Sequence, residues 1–381
     1  EVLKGQIVLV AFSDMYSQAA YQGGVWRKSL LEGWLTLTKM ADVNMKTFRD
    51  HPNYDEFWAE LNPEAQARRV NAPGVFIGGW YDIFLQGTIN SFVAIHNNGG
   101  PNARGRCRLI IGPIAHGEFN ELKYPPNSRL PLAPADLRLF DYWLKGQDNG
   151  AENDKAVQYY VMGDPTDANA PGNLWRQADN WPPPAERTAF YFHPDGRLVR
   201  GTPPDKKQTL SYRYDPNDPV PTVGGQNLLL PKGPMDQRKV ESRPDVLLFT
   251  TDVLNEPIEV TGRIHAKLYV SSDRPDTDFT VKLTDVYPGG RSMLVTDGIL
   301  RTRFRDSFEQ PELMQPGQVY ELTVDLWSTS LVFNKGHRIR VAVSSSNSPR
   351  FEPHPDMAVQ TVCLGGDRAS YLSLPILDGG D

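Results

Sequence analysis

Cysteine is scarce in this chain. Cys107 and Cys363 are the only two in 381 residues, so no disulfide framework can organise the fold. Both lie in apolar runs of different regions, which suits reduced core thiols. Long hydrophobic runs are missing too: no apolar stretch approaches the ~20 residues that cross a bilayer as a helix. Basic runs are equally missing and the formal net charge is -6, which removes the electrostatic footprint of nucleic-acid binding. No set of His, Cys and carboxylate residues stands at metal-ligand spacing, so neither a metal nor another cofactor is expected. No internal repeat or low-complexity tract is found.

What is present is 39% hydrophobic and 23% charged residue content over a length that exceeds one ordinary core, so two or more domains are expected. Residues 6–12, 75–79 and 107–112 are short continuous apolar runs, the pattern of strands buried on both faces. Helical patterns occupy 25–40, 54–60, 84–96 and 134–145. That alternation predicts an α/β domain with a parallel sheet over residues 1–150. Within it, residues 21–70 are long, helical and rich in aromatics, including Trp26, Trp34, Phe48 and Trp58. They predict a helical cap over the strand ends, although the same aromatics suit a helical layer packed as ordinary core.

After Gly146 the texture changes. Residues 151–188, with PPP at Pro182 to Pro184, read as a connecting segment. From residue 189 onward, runs such as TAFYFH, RIHAKLYVSS, DFTVKLTDVYP, SMLVTDGILRTRF, QVYELTVDLW and HRIRVAVSSS alternate with Gly, Pro, Asn and Asp. They predict an all-β jelly-roll sandwich over 189–381. Residues 201–243, rich in Pro, Asp and Lys, read as an excursion with little regular structure.

The chemistry concentrates at two loops. GVFIGGWYD places Asp82, and CRLIIGPIAHG places His116, each at the end of an apolar run, where parallel sheets hold catalytic groups. They are 34 positions apart, with one helix and one strand between them, enough for one βα unit to bring both to the same sheet edge. A hydrolytic triad needs a His with one ring nitrogen facing the nucleophile and the other held by a carboxylate. Asp followed by His is the order of the second and third members of the α/β-hydrolase triad.

Alone, each residue is ambiguous, since Asp82 also reads as a helix cap and His116 as a hydrogen-bonded loop histidine. Their order on consecutive strand ends favours the triad. His51 reads as packing in the cap and His96 as a helix C-terminal charge. His193, His265, His337 and His354 fall in the β-rich region with no partner pattern. The first triad member, a Ser in G-x-S-x-G, is nowhere in the chain.

These motifs, together with GGWYDIF, GPIAHG, DHPNYDEFW, LRLFDYWLKGQDNG, KAVQYYVMGD, ADNWPPP and HRIRVAVSSSNSPRF, extend over most of the sequence. On them the chain resembles the cocaine-esterase-like (CocE/NonD) hydrolases of the X-prolyl dipeptidyl-peptidase (S15) superfamily. The resemblance implies an α/β-hydrolase domain, a helical cap and a C-terminal jelly roll. It assigns Asp82 as triad acid, His116 as general base, and Trp34, Phe84 and Tyr21 as substrate-binding residues. Relatives acting on α-amino acid esters carry acidic residues just after the triad Asp. Here Ile83, Phe84 and Leu85 stand there, and an apolar wall offers an ammonium group nothing. A tryptophan usual just before the cap Tyr in the member that gives the family its name is Ala20 here, so that member's substrate does not carry over.

The resemblance implies that the nucleophilic Ser and its oxyanion donors lie upstream of Glu1, so the chain is expected to be the C-terminal part of a larger hydrolase and inactive alone. The expected substrate is a small ester or amide with an uncharged, apolar or aromatic acyl group. X-prolyl dipeptidyl-peptidase or α-amino acid ester hydrolase activity is the alternative within the family. The expected partner is an N-terminal segment carrying the nucleophile, with no nucleic acid and no membrane, and with homo-oligomerisation left open. Two other readings compete: a non-catalytic remnant with a binding β-sandwich, and a complete enzyme using Ser13 or Ser17, which lack the flanking glycines of a nucleophile elbow.

Overall fold

The computed structural model describes residues 3–131 and 133–377, without the side chains of 133–137. The expectation for Glu1 therefore lies outside the described residues. Five strands form the first sheet, in spatial order β1 (Gln6–Leu9), β2 (Gly74–Tyr81), β3 (Arg108–Ala115), β4 (Val157–Val161) and β5 (Leu174–Ala178). The first four run parallel and β5 returns antiparallel. Strands β2 and β3 are buried on both faces, which is why they read as continuous apolar runs rather than as alternating ones.

Helices cover the two faces. Alternate residues of the central strands, Phe76, Leu109 and Ile111, share a core with Leu85, Ile89, Phe92 and Ile95 of the helix Leu85–Asn98. The other set, Val75, Ile77 and Ile110, packs with Leu139, Tyr142 and Trp143 of the helix Ala133–Lys145. Residues 151–188, expected to be a connection only, contribute β4 and β5 to this sheet. KAVQYYVMG is another buried run, and its tyrosines and flanking turn residues hid its strand character.

Three helices, Lys28–Leu37, Ala41–Asp50 and Glu56–Glu60, form a layer with its own core of Tyr16, Tyr21, Trp26, Leu31, Phe48 and Trp58. Ile83, just past β2, is buried in that core, and Phe12 and Phe84 pack on its edge. The layer therefore sits over the C-terminal ends of β1 and β2.

The remaining chain folds into two antiparallel sheets sharing a single core. One is built around the long strand Ile258–Ser272, which pairs with Tyr320–Phe333, Ala358–Leu364 and Tyr371–Leu377. The other contains Leu247–Thr250, Arg338–Ser344, Asp278–Val286 and Ser292–Arg301. Within 201–243 the structure has a strand, Gln208–Tyr214, and a short helix, Arg238–Glu241. The strand is a sheet edge on which Tyr212 and Tyr214 are buried and Leu210 partly so, between exposed polar residues, too few apolar residues to stand out in sequence.

Two features position the ends of β2 and β3. Gly79 pairs with Gly112, but Tyr81 pairs with Ala115, so β3 carries one extra residue across this interval, a bulge that redirects side chains. Without it Asp82 would pair with Ala115. With it, the last paired residues are Tyr81 and Ala115, so Asp82 and His116 leave the sheet next to each other. Gly79 allows the close approach: a Cβ there would lie 2.3 Å from the Ile114 carbonyl oxygen.

Farther away, the guanidinium of Arg350 is buried against Asp297 at 2.6 Å, with side chains 2% and 3% exposed. It also donates to the Gln226 and Gln22 side-chain oxygens at 3.1 and 3.4 Å. This cluster ties the hairpin 21–26 and the loop around residue 226 to the sandwich.

Gly79→Ala should destabilise the fold by about 1–3 kcal/mol, the usual cost of overpacking, visible as a lower urea midpoint. Asp297→Ala should cost more, about 3–5 kcal/mol, because it leaves Arg350 buried and uncompensated; chemical denaturation measures it.

Candidate active site

Asp82 and His116 meet at the strand ends. His116 Nδ1 lies 2.9 Å from Asp82 Oδ2. The Asp82 side chain is fully buried and that of His116 is 35% exposed. The other carboxylate oxygen, Oδ1, accepts the Phe84 backbone N–H at 2.8 Å. One oxygen of the carboxylate thus makes a turn and the other orients the imidazole; the helix cap expected at Asp82 falls instead on Phe84, without a side-chain bond. The Asx turn to Phe84 aims Asp82 before the helix begins at Leu85.

Hydrogen bonding to Asp82 raises the His116 pKa above its ordinary 6.5, against the opposing effects of burial and of Lys232. With Nδ1 engaged, Nε2 is the nitrogen left on the partly open side. It has no hydrogen-bond partner among the described residues. A neutral imidazole so held can take a proton at Nε2 while the carboxylate stabilises the resulting cation.

Other histidines show why pairing alone does not define the site. His337 Nδ1 is also 2.9 Å from a carboxylate, that of Asp285, and Asp164 lies 3.6 Å from its Nε2. His354 faces Asp276 at 3.3 Å. These partners, which the sequence did not reveal, come from a strand (Asp285) and from loops (Asp164 and Asp276), and both histidines are buried. A substrate cannot reach them. His96 is not the expected helix-end charge: it is buried against Phe92, and burial lowers its pKa. His51 stacks on Phe57 and bonds Asp55.

The residues expected to contact substrate separate into two groups. Phe84 follows Asp82 in the same turn and stands edge-on to Phe12 at 5.3 Å, and Trp34 packs on the edge of the helical-layer core. Both are half-buried. Tyr21 lies inside that core, and its hydroxyl donates to the Phe48 carbonyl at 3.2 Å. Ile83 and Leu85 are buried as well. Of the three apolar residues after Asp82, only Phe84 is partly open.

Ser13 and Ser17 are committed elsewhere: Ser13 is fully buried with its hydroxyl on Glu64 at 2.8 Å, and Ser17 bonds Asp14 at 2.5 Å. A cavity of about 490 Å³ lies between the helical layer and the sandwich, lined by residues that include Gln86, Asn90, His265, Asp325 and Trp327. Asp82 and His116 are not on its wall, so size alone does not locate the chemistry. Among the described residues, no group of three or more His, Cys, Asp or Glu side chains is arranged to hold a metal ion.

Two contributors escaped the sequence reading. Arg27, almost fully buried, donates to the backbone carbonyls of Gln18 and of Ile83, the latter at 3.1 Å, and so ties the helical layer to the residue after Asp82. Lys232 donates to the His116 carbonyl at 3.1 Å. Both act on backbone atoms across long sequence separations, which leaves no local pattern.

Comparison with known proteins agrees with this architecture. The X-Pro dipeptidyl-peptidase C-terminal non-catalytic domain matches residues 149–373, and the X-Pro dipeptidyl-peptidase (S15 family) domain matches residues 36–118. Cocaine esterase of Rhodococcus sp. (strain MB1 Bresler) is 34% identical over 360 residues, 86% of this chain and 60% of that protein. The chain thus spans about 60% of the length of this relative. Among solved structures, an aminopeptidase from a marine sediment archaeon, Thaumarchaeota archaeon, superposes with a TM-score of 0.81 at 22% identity, covering 99% of this chain and 73% of that one. An α-amino acid ester hydrolase gives 0.80 at 22% identity, covering 98% and 73%. These two share the fold, an α/β-hydrolase domain with a C-terminal β domain. With a family model over more than half of its length and the same two-part fold, the chain belongs to the X-Pro dipeptidyl-peptidase (S15) superfamily, among the cocaine-esterase-like hydrolases.

Proposed function

We propose that this chain supplies the general base and its orienting acid to a serine hydrolase. The substrate class is a small ester or amide with an uncharged, apolar or aromatic acyl group. The nucleophilic Ser belongs to a segment preceding the sequence described. The observation that carries this reading is the His116–Asp82 pair at 2.9 Å, with the acid fully buried and the base one-third open. In the reaction, the Ser hydroxyl attacks the acyl carbon while His116 Nε2 takes its proton. The imidazolium then gives that proton to the leaving group, and water releases the acyl group by the same relay.

The edge of the first sheet supports the upstream segment. Among the described residues strand β1 pairs only with β2, and its Ile7 and Leu9 side chains are 51% and 56% exposed. An exposed apolar edge strand invites another strand, and the preceding part of the hydrolase sheet is the proposed occupant. The preference for an uncharged acyl group rests on Phe84, Phe12 and Trp34, together with the absence of a carboxylate at positions 83–85.

The decisive experiment is fluorophosphonate labelling of the complete polypeptide followed by peptide mapping. Label on a Ser upstream of the described sequence is expected; no label at all would sink the proposal. Asp82→Asn should lower kcat by about 10⁴ while leaving the fold intact, the order of loss known for a triad acid converted to its amide.

The pH dependence has a defined sign. Because Asp82 raises the His116 pKa, the neutral base form accumulates only above pH 6.5, so kcat/KM should fall as pH drops through a value higher than 6.5. The pair's contribution to stability runs oppositely: full below the unfolded value near 6.5, lost as pH rises through the folded value. Alanine at Trp34 or Phe84 should reduce turnover of aromatic esters by tenfold or more, the order expected for lost apolar contacts, with a smaller change for acetyl esters. Equal losses for both substrates would remove these residues from the acyl site.

A further inference from the structure

We infer that Lys232, carried on a loop of the sandwich region, is a positioning residue for His116: its ammonium group clamps the backbone of the catalytic base so that the imidazole stays on Asp82. The inference rests on the triad reading above and adds to it a residue from the other half of the molecule.

The geometry begins at His116 itself. Gly117 N–H bonds the Ala115 carbonyl at 2.8 Å, a three-residue turn centred on His116, and Gly117 has φ +120°. Such a turn takes the His116 carbonyl out of the strand ladder. An unpaired backbone carbonyl at a partly buried site is costly, and here Lys232 Nζ meets it at 3.1 Å while also donating to the Leu228 carbonyl at 2.5 Å.

The lysine is held on a closed loop. Gly225 and Gly233 exchange backbone hydrogen bonds at 2.8 and 3.0 Å. The buried Asn227 amide donates to the Gly224 and Pro231 carbonyls, both at 2.8 Å. The same loop grips the segment after His116 at further points. Lys232 N–H donates to Asn120 Oδ1 at 2.7 Å, Asn120 N–H returns to the Lys232 carbonyl at 3.3 Å, and Gly233 lies against the Phe119 ring. Leu122 packs with Tyr287 and Met293 of the sandwich. The catalytic loop is therefore held by Asp82 on one side and by Lys232 on the other.

Two charges act on the imidazole: Asp82, which favours its cation, and Lys232, which opposes it. This gives the clamp a distinctive readout. If Lys232 were only a neighbouring positive charge, removing it would let the His116 pKa rise. If it holds the imidazole on Asp82, removing it weakens the dominant contact and the pKa falls toward 6.5.

The test is an NMR titration of the His116 ring proton in the complete protein, comparing wild type with Lys232→Met, Lys232→Gln and Lys232→Arg. The melting temperature and fluorophosphonate labelling rate are followed in parallel. The clamp predicts a His116 pKa lowered toward 6.5 and labelling slowed by tenfold or more in the Met and Gln variants. Arg restores both, and the melting temperature falls only modestly in the Met and Gln variants, as two partly buried carbonyls lose their donor. A pKa that rises or stays unchanged in both neutral variants overturns it. Failure of the underlying triad reading is separately visible, as wild-type protein that does not label at any Ser.

Discussion

The parallel pairing of β2 with β3 is the constraint on which the rest of the structure depends. A parallel pair carries no side-chain chemistry in itself, yet its register decides which residues emerge side by side at the sheet edge. The extra residue in β3 between Gly112 and Ala115 brings Asp82 beside His116 rather than one position away. Gly79 makes this possible, because any side chain there would strike the Ile114 carbonyl. Once the strands are so placed, a single carboxylate both makes the turn that precedes the next helix, through Phe84 N–H, and holds the imidazole through Nδ1.

Around this edge the molecule works as a three-sided brace. The helical layer closes over the strand ends with an aromatic core, and Arg27 ties it to the Ile83 carbonyl. The sandwich approaches from the other direction. Tyr81, next to Asp82, donates its hydroxyl to the Leu294 carbonyl at 2.8 Å, and the loop carrying Lys232 lies on the residues following His116. The buried Arg350–Asp297 pair and its amide neighbours hold this loop and the hairpin 21–26 against one sheet. Buried ion pairs are weak sources of net stability but strongly penalise any arrangement that separates the partners. That suits a junction where three segments must keep one relative position. A family model named for a non-catalytic domain covers residues 149–373, yet a residue from that region touches the backbone of the proposed base.

The buried His337 and His354 pairs sharpen what makes a histidine chemically useful. His337 and His116 have the same distance to their carboxylates, and burial distinguishes them. His337 is enclosed between two acids and packed against the tilted Tyr287 ring, an arrangement that serves packing. His116 keeps one nitrogen on an open side at a sheet edge. Exposure of the base combined with burial of its acid is the more discriminating signature.

Much of the architecture was legible in the sequence because it follows from local periodicity. Continuous apolar runs identified β1, β2 and β3; alternating runs identified the long sandwich strands; helical spacing identified the two helices that cover the first sheet. The order Asp82 then His116 after two such runs anticipated that these side chains meet at the strand ends, and the surrounding motifs identified the family. The tertiary structure decided everything that depends on pairing between distant segments. It drew β4 and β5 from an expected connection into the sheet and found an edge strand within 208–214. It also moved Tyr21 from a presumed binding surface into a core, where its hydroxyl bonds Phe48. The β3 bulge, Arg27 on Ile83 and Lys232 on His116 left no trace in composition or spacing. Each is an interaction with backbone atoms, whose position is set by the fold and not by the identity of the residue that bears them.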